Sequence, residues 1–402
     1  MLPAEIFLLE NLFWEFAECR LSRKYIQQYK PFPLPSVNTR LFNASDVSIV
    51  VPTVGWDPET FSRAIISWLA NRPLEIIIVT IDNITILSIR RPNKRNQLVR
   101  GIRESTGRII AFADDDVLWQ ETTLMNLLAP FQEPDIGVVG GPIESYLPKN
   151  RQDASIISSW EVAALRKRSK RRGGNKAFYA RDGSTNFTVS GATMLLRAAV
   201  VKDPEFQNGF MGETFAGFLQ NSGDDAFITR WVLFQHLRKG RQGNSLDDAM
   251  ENRRFLDQMK RWMRTGLRSR LICLFRDPGF RNFWRATPYM CRKMVERLYS
   301  PFLNILWYVS FFVTLRRRPL MALLIALYYL YGVVSGIRAF AREFPYCRGK
   351  IYAAVIADKI PLVSNFYSWA TLASESWASR QGVDDVESAG DATSRPRMDL
   401  DE

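Results

Sequence analysis

Hydrophobic and polar positions follow two rhythms along this chain. In the first, short uncharged runs alternate with segments of helical period. Residues 47–51 read as a buried strand, stopped by Pro52 and Thr53. Phe61, Ile65, Trp68 and Leu69 recur at helical spacing across 60–70. A β-rich run at 75–81 ends in Asp82 and Asn83, 84–89 reads as a further short strand, and 97–104 as a helix. Residues 109–113 form an apolar strand behind a Thr106-Gly107 turn, and strands are also expected at 136–139 and 187–189. This alternation predicts an α/β class with a parallel, nucleotide-binding type of sheet. Residues 237–252 are polar and show no strand pattern.

The second rhythm begins near residue 253. Lys and Arg crowd 253–276, with Leu256, Met259, Trp262, Met263 and Leu267 interleaved, which suits a helix at a membrane interface. Residues 299–315 and 319–337 carry no charge and read as transmembrane helices. Residues 351–374 are apolar but interrupted by Asp358, Lys359 and Pro361, the pattern of a re-entrant, interfacial or cavity-lining segment. Arginines flank both ends of 319–337, so the positive-inside rule leaves orientation open. Glu5, Glu10, Glu15 and Glu18 exclude a signal sequence or span in 2–18, leaving an amphipathic helix on a membrane or on the domain. The expected segments are therefore 1–45 as amphipathic helix and linker, 46–252 as catalytic domain, 253–298 as interfacial helices, 299–374 as membrane helices, and 375–402 as a disordered acidic tail.

Composition narrows the chemistry. The chain of 402 residues has a net charge of +13, compatible with nucleic acid, a membrane surface or an anionic substrate. Its four cysteines are scattered, without a CxxC pair, and read as reduced thiols in a cytosol-facing protein. One histidine, His236, argues against a His-based triad or a multi-His metal centre, so carboxylates must carry the acid–base chemistry. The basic run 166–172 reads as a solvated loop. No recognition fold surrounds it, and nucleic-acid binding is not expected.

The carboxylates stand in two places. Asp114, Asp115 and Asp116 follow the strand 109–113, where open α/β sheets bind ligands. The first and third share a direction, which suits Mg²⁺ or Mn²⁺ on a diphosphate. A solvated acidic turn is the competing interpretation. Asp224 and Asp225 follow Gly223 at the start of a helix, where N-capping accounts for one of them.

Taken together, the chain resembles the processive family 2 glycosyltransferases, the group of hyaluronan, chitin and cellulose synthases, and especially fungal polysaccharide synthases with a compact catalytic domain. The resemblance rests on VSIVVPT (47–53), NKRNQLVRGIR (93–103), ADDDV (113–117), VGGP (139–142), SGA (190–192), SGDD (222–225) and QMKRW (258–262), ahead of the apolar segments. It implies a GT-A, Rossmann-like catalytic domain followed by interfacial and transmembrane helices. It also implies Pro52, Thr53 and Asp82 beside the nucleoside of a UDP-sugar donor. Asp114 and Asp116 would hold Mg²⁺ or Mn²⁺. Lys94, Gln258, Arg261 and Trp262 would serve the diphosphate, and Ser190, Gly191 and Trp262 the acceptor. Asp225 would be the general base of an inverting transfer.

The expected activity is elongation of a polysaccharide by a multi-pass membrane enzyme whose catalytic domain faces the cytosol, in the plasma membrane or secretory membranes. Two other readings stand beside it: a ceramide-type lipid glucosyltransferase adding one sugar, and an inactive membrane scaffold of the same fold. Membrane lipids are expected partners. Two or three spans are too few for a monomeric pore, which leaves a homo-oligomer open.

Overall fold

The computed structural model describes the chain except residues 1–2, 54–56, 81–92, 142, 170–173, 184–186, 235–238, 243–244, 249–253, 278 and 374–402. Asp82, the strand expected at 84–89 and the acidic tail lie outside the described residues. The chain begins with α1 (Pro3–Gln28), β1 (Val47–Pro52), α2 (Pro58–Leu69), β2 (Glu75–Val79), α3 (Lys94–Glu104) and β3 (Ile109–Ala113). It continues through β4 (Val117–Leu118), α4 (Thr123–Leu128), β5 (Ile136–Gly140), β6 (Ile143–Tyr146), α5 (Ser159–Ser169) and α6 (Gly174–Asp182). Then come β7 (Thr193–Arg197), α7 (Ala198–Val201), α8 (Pro204–Gly212), β8 (Thr214–Phe215), β9 (Phe218–Leu219), α9 (Asp224–Phe234), β10 (Lys239–Gln242) and β11 (Ser245–Asp248). The last part is helical: α10 (Arg254–Phe275), α11 (Phe280–Ala286), α12 (Pro288–Arg317), α13 (Pro319–Glu343) and α14 (Ile351–Ala370).

The main sheet has the order β10-β5-β7-β3-β1-β2. Strand β1 runs parallel to β2 and β3, and β10 parallel to β5, whereas β7 is antiparallel to both of its neighbours. The expected parallel sheet is thus mixed. Its reversed strand also corrects a boundary: 187–189 is not a strand, and the strand is Thr193–Arg197. Val189 is buried as its pattern suggested, but its N–H donates to Thr229 Oγ1 (3.0 Å) instead of a ladder partner. A second correction concerns 237–252, where β10 pairs with the edge of β5 and β11 pairs with β4 and β6. Strand pairing uses backbone groups, so polar side chains do not prevent it.

Every residue of β1 and β3 is buried, which is why they read as uninterrupted apolar runs. Successive side chains alternate between two cores. Ile49, Val51, Ile109 and Ala111 join Phe61, Trp68, Leu124 and Phe131 on one face. Val50, Ile110 and Phe112 join Leu98, Ile102, Phe206 and Phe210 on the other. Helix α3 lies tight against the sheet because Gly101 is bare; a Cβ there would stand 2.3 Å from Val50 Cγ1.

The later helices pack on one another and on the helices of the first part. Helix α1 packs against α6 and α12, α5 against α14, and α10 against α14 and α12. Arg166 on α5 makes a buried ion pair with Asp358 on α14 (2.9 Å) and donates to Gly336 O (2.9 Å). The start of the basic run 166–172 is therefore helical and partly buried, not a solvated loop, because α14 supplies a carboxylate opposite it. Helices α12 and α13 are long and apolar enough to cross a membrane by length and composition. They leave Phe302, Val309, Phe312, Leu320, Leu324 and Tyr331 exposed. Helix α14, with Pro361 inside it, does not reach that threshold.

Candidate active site

The site forms where β3 ends and the reversed strand β7 begins. Ala113 pairs with Thr193, which brings Ser190 and Gly191 beside Asp114. Asp114 N donates to Ala192 O (3.3 Å), and Val117 N donates to Asp114 O (3.2 Å), so the aspartates turn sharply off the strand. Two tryptophans brace that turn: Trp68 Nε1 donates to Val117 O (3.0 Å) and Trp119 Nε1 to Thr193 Oγ1 (2.9 Å).

The three aspartates diverge as their alternation requires. Asp115 is buried and accepts the Thr53 hydroxyl at 2.5 Å. Asp114 and Asp116 stay half-buried. Lys94, at the first turn of α3, places Nζ 2.9 Å from Asp114 Oδ1 and 3.2 Å from Asp224 Oδ2. Asn93 caps that helix, accepting from Asn96 N (3.1 Å), and its amide also donates to Asn221 Oδ1 (3.0 Å). The start of α3 is thereby tied to the loop that leads into α9.

That loop turns at Gly223, whose φ of +80° favours glycine, and a Cβ there would meet Thr265 Cγ2 at 2.7 Å. Asp224 and Asp225 then open α9. Gly191 faces them closely: a Cβ on it would stand 3.3 Å from Asp224 Oδ2, 3.4 Å from Asp225 Cβ and 3.8 Å from Lys94 Nζ. Lys94, Asp114, Gly191, Asp224 and Asp225 therefore form one cluster.

Their electrostatics differ. Burial raises the pKa of Asp225, and the neighbouring Asp224 carboxylate raises it further, to about 7 despite Lys94. Burial also works against charge on Asp224, but Lys94 and Arg95 outweigh it and hold that carboxyl below its ordinary value. For Lys94, burial favours the neutral amine, yet Asp114 and Asp224 prevail and its pKa is raised. Arg261 on α10 lies within the field of Asp114, Asp224, Asp225 and Asp116; its own burial outweighs them and lowers its pKa.

Other expected residues sit further back. Pro52 and Thr53 are buried at the end of β1; Thr53 N donates to Val79 O (2.9 Å), and Gln97 Nε2 donates to Thr53 O (2.7 Å) and Val79 O (2.8 Å). Ser190 is half-buried, its Oγ 3.4 Å from Ala192 N. Trp262 packs against the core shared by α5 and α14, with the Arg168 guanidinium 4.9 Å from its ring centre. Gln258 lies in α10, with its side chain outside the described residues.

Behind the cluster runs a set of buried charges that sequence patterns did not reveal. Arg95 lies over the rings of Phe210 (5.0 Å) and Phe227 (5.5 Å) and donates to Phe210 O, Ser222 O and Glu213. Glu213 also binds Arg230, which reaches Asp277 (2.9 Å) and Ser269. Nothing in a linear sequence marks a charged side chain as buried. The roles of Gln97, Asp115 and Asp224 were missed as well, although all three lie within motifs that had drawn attention.

Residues 45–239 match the family model described as Glycosyltransferase like family 2. That stretch is similar to the family 2 glycosyltransferases. NDP-glycosyltransferase ltbB of Aspergillus luteorubrus is 28% identical over 395 residues, covering 92% of this chain and 96% of that protein. A Type 2 glycosyltransferase of Zymoseptoria tritici is 28% identical over 392 residues, covering 89% of this chain and 80% of its own. Among solved structures, the mannosyltransferase PcManGT from Pyrobaculum calidifontis, in complex with GDP-Man and Mn²⁺, has a TM-score of 0.56 at 14% identity and covers 90% of this chain. That likeness concerns the fold, a mixed α/β GT-A type. The enzyme is a nucleotide-sugar-dependent glycosyltransferase.

Proposed function

We propose that this glycosyltransferase transfers a sugar from a UDP-sugar to a hydroxyl of a growing polysaccharide, with inversion, at a membrane. The observation that carries this reading is the convergence of Asp114, Lys94, Gly191, Asp224 and Asp225 at the C-terminal edge of β3. Asp225 acts as general base. It lies close against Gly191, and a pKa of about 7 matches the work of taking a proton near neutrality. Lys94 and Arg261 offset negative charge on the departing diphosphate, and Arg261 adds the planar fork that suits phosphate oxygens. Trp262 offers one face of the acceptor channel.

Among the described residues no group of three or more His, Cys, Asp or Glu is gathered as a metal site. The donor set still fits a divalent cation held jointly with a diphosphate. Asp114 already draws the Lys94 ammonium to 2.9 Å, and Asp116 is half-exposed while Asp115 is turned into the core. Asp114 and Asp116 would hold Mg²⁺ or Mn²⁺, which when bound supplies charge neutralisation at the diphosphate.

The polymer acceptor is supported by the order of the DDD, GDD and QxxRW motifs ahead of two apolar helices. Membranes containing the protein, given radiolabelled UDP-sugars one at a time with Mn²⁺ or Mg²⁺, should yield a ladder or high-mass polymer. A single organic-soluble glycolipid would replace polymer synthesis with lipid glycosylation. Absence of both transfer and UDP-sugar hydrolysis would favour an inactive scaffold.

A further inference from the structure

A second cluster of charge lies where α10 meets α12, away from the aspartates. Cys273 and Leu274 of α10 share a core with Cys291, Met294 and Val295 of α12, and about a turn from that contact stand four cations: Arg270 on α10, and Arg292, Lys293 and Arg297 on α12. Two carboxylates accompany them, and both are taken. Glu18 on α1 pairs with Arg292 (2.6 Å) and Lys293, and Glu296 pairs with Arg292 (2.7 Å) and Lys293 (2.9 Å). Among the described residues neither Arg270 nor Arg297 makes an ion pair, although the Glu296 carboxylate lies within the field of Arg297. Arg270 is half-buried and lies along the bare face of Gly266; a Cβ there would be 3.5 Å from its Nη2 and 3.6 Å from its Nη1. Arg297 is exposed.

We propose that the guanidinium groups of Arg270 and Arg297 bind the phosphate of an anionic membrane lipid. Like charges in partly desolvated surroundings repel, and an anion between them removes that cost. Burial, and next the Arg297 cation, push the Arg270 guanidinium down to about 9. The guanidinium fork matches phosphate geometry. The level is also right: Arg297 immediately precedes the uncharged stretch 299–315, whose Tyr299, Phe302 and Leu303 are exposed. Phosphates of a bilayer lie at such a boundary, where basic pockets between helices take lipid headgroups. Arg270 lies roughly 14 Å along α10 from Arg261, at about 1.5 Å per residue. A lipid held there would fix the depth of the helix that also carries Arg261 and Trp262. This site rests on the reading that α12 enters a membrane.

The test uses the full-length protein in mild detergent, titrated with phosphatidylglycerol or phosphatidylcholine and read by native mass spectrometry. Phosphatidylglycerol should bind more tightly. Arg270→Gln or Arg297→Gln should weaken it about fivefold and the double variant about thirtyfold, from about 1 kcal/mol per cation near an anionic surface. Phosphatidylcholine binding should not change. Arg270→Lys and Arg297→Lys keep the charge and should retain most of the preference. They also guard against misfolding of the Gln variants, which should melt no lower than wild type because they remove like-charge neighbours. Equal affinity for both lipids, or an undiminished preference in the double variant, would overturn the site. Displacement by inorganic phosphate at constant ionic strength would identify a free-phosphate site instead. Alkaline carbonate separates the two claims. A protein that it strips from membranes defeats the membrane reading, whereas a carbonate-resistant protein without lipid preference defeats only this site.

Discussion

Asp225 is held between two requirements. Its location disfavours charge, because burial and the adjacent Asp224 raise its pKa to about 7, whereas its proposed role requires the ionised form. Transfer should therefore fall on the acid side, with a midpoint near that value in the profile of kcat/KM for the donor. Asp224→Asn removes the neighbouring negative charge and should move that acid limb to lower pH. An unmoved limb in Asp224→Asn would remove Asp225 from the role of titrating base. Stability responds with the opposite sign. The folded state favours protonated Asp225, so its contribution is complete below the ordinary carboxyl value of 3.8 and is lost as pH rises through about 7. Asp225→Asn should thus be the more stable protein at pH 8, by on the order of 1–3 kcal/mol, while losing transfer. Thermal melting at pH 5 and pH 8 checks this, with the difference between variants growing as pH rises.

At the scale of elements, the start of α9 is placed by contacts from behind. Arg95 on α3 and Arg230 on α9 share Glu213, so the helix bearing Lys94 and the helix bearing Asp225 are tied through one carboxylate. Glu213→Ala leaves two buried guanidinium groups short of a partner and should destabilise the fold by about 3–5 kcal/mol, measured by chemical or thermal unfolding. Glu213→Ala as stable as wild type would show that the tie is dispensable. This arrangement could not be read from the sequence, because Arg95 and Glu213 look like ordinary surface charges until Phe210 and Phe227 close over them. Strands β1 and β3 were legible for the opposite reason: burial on both faces demands uncharged, branched residues throughout. Strand β7 was misplaced by a few residues because Val189 is as buried as a strand residue while its N–H goes to a side chain. Strands β10 and β11 were invisible because their residues are polar: β10 lies at the edge of the main sheet and β11 in the middle of a small one, and both are held by backbone pairing that leaves little hydrophobic signature. In the site, Asp114, Lys94, Gly191 and Asp225 were legible through motif order. Thr53, expected beside the nucleoside, gives its hydroxyl to Asp115, a contact that the motif alone does not show.

Across the whole molecule, polar contacts fasten the α/β part to the helices that follow it. The pair Arg166–Asp358, with Gly336 O as a further acceptor, joins α5 to α14 and α13. Arg168, on the same helix, covers Trp262 of α10. Asp358→Leu alone leaves Arg166 buried without its carboxylate and should cost about 3–5 kcal/mol. Arg166→Leu combined with Asp358→Leu should recover most of that loss, because a hydrophobic pair replaces the ion pair without an orphaned charge. A double variant no more stable than Asp358→Leu would show that the two residues do not act as a pair.

The most direct test of the central claim compares wild type with Asp225→Asn in one membrane preparation, measuring sugar transfer from the preferred UDP-sugar and binding of UDP with Mn²⁺. Asp225→Asn should lose transfer by at least about a thousandfold, the scale of a lost general base, while binding UDP as wild type does. Transfer within a few-fold of wild type would contradict the assignment of Asp225 as the base and with it the mechanism proposed for this cluster.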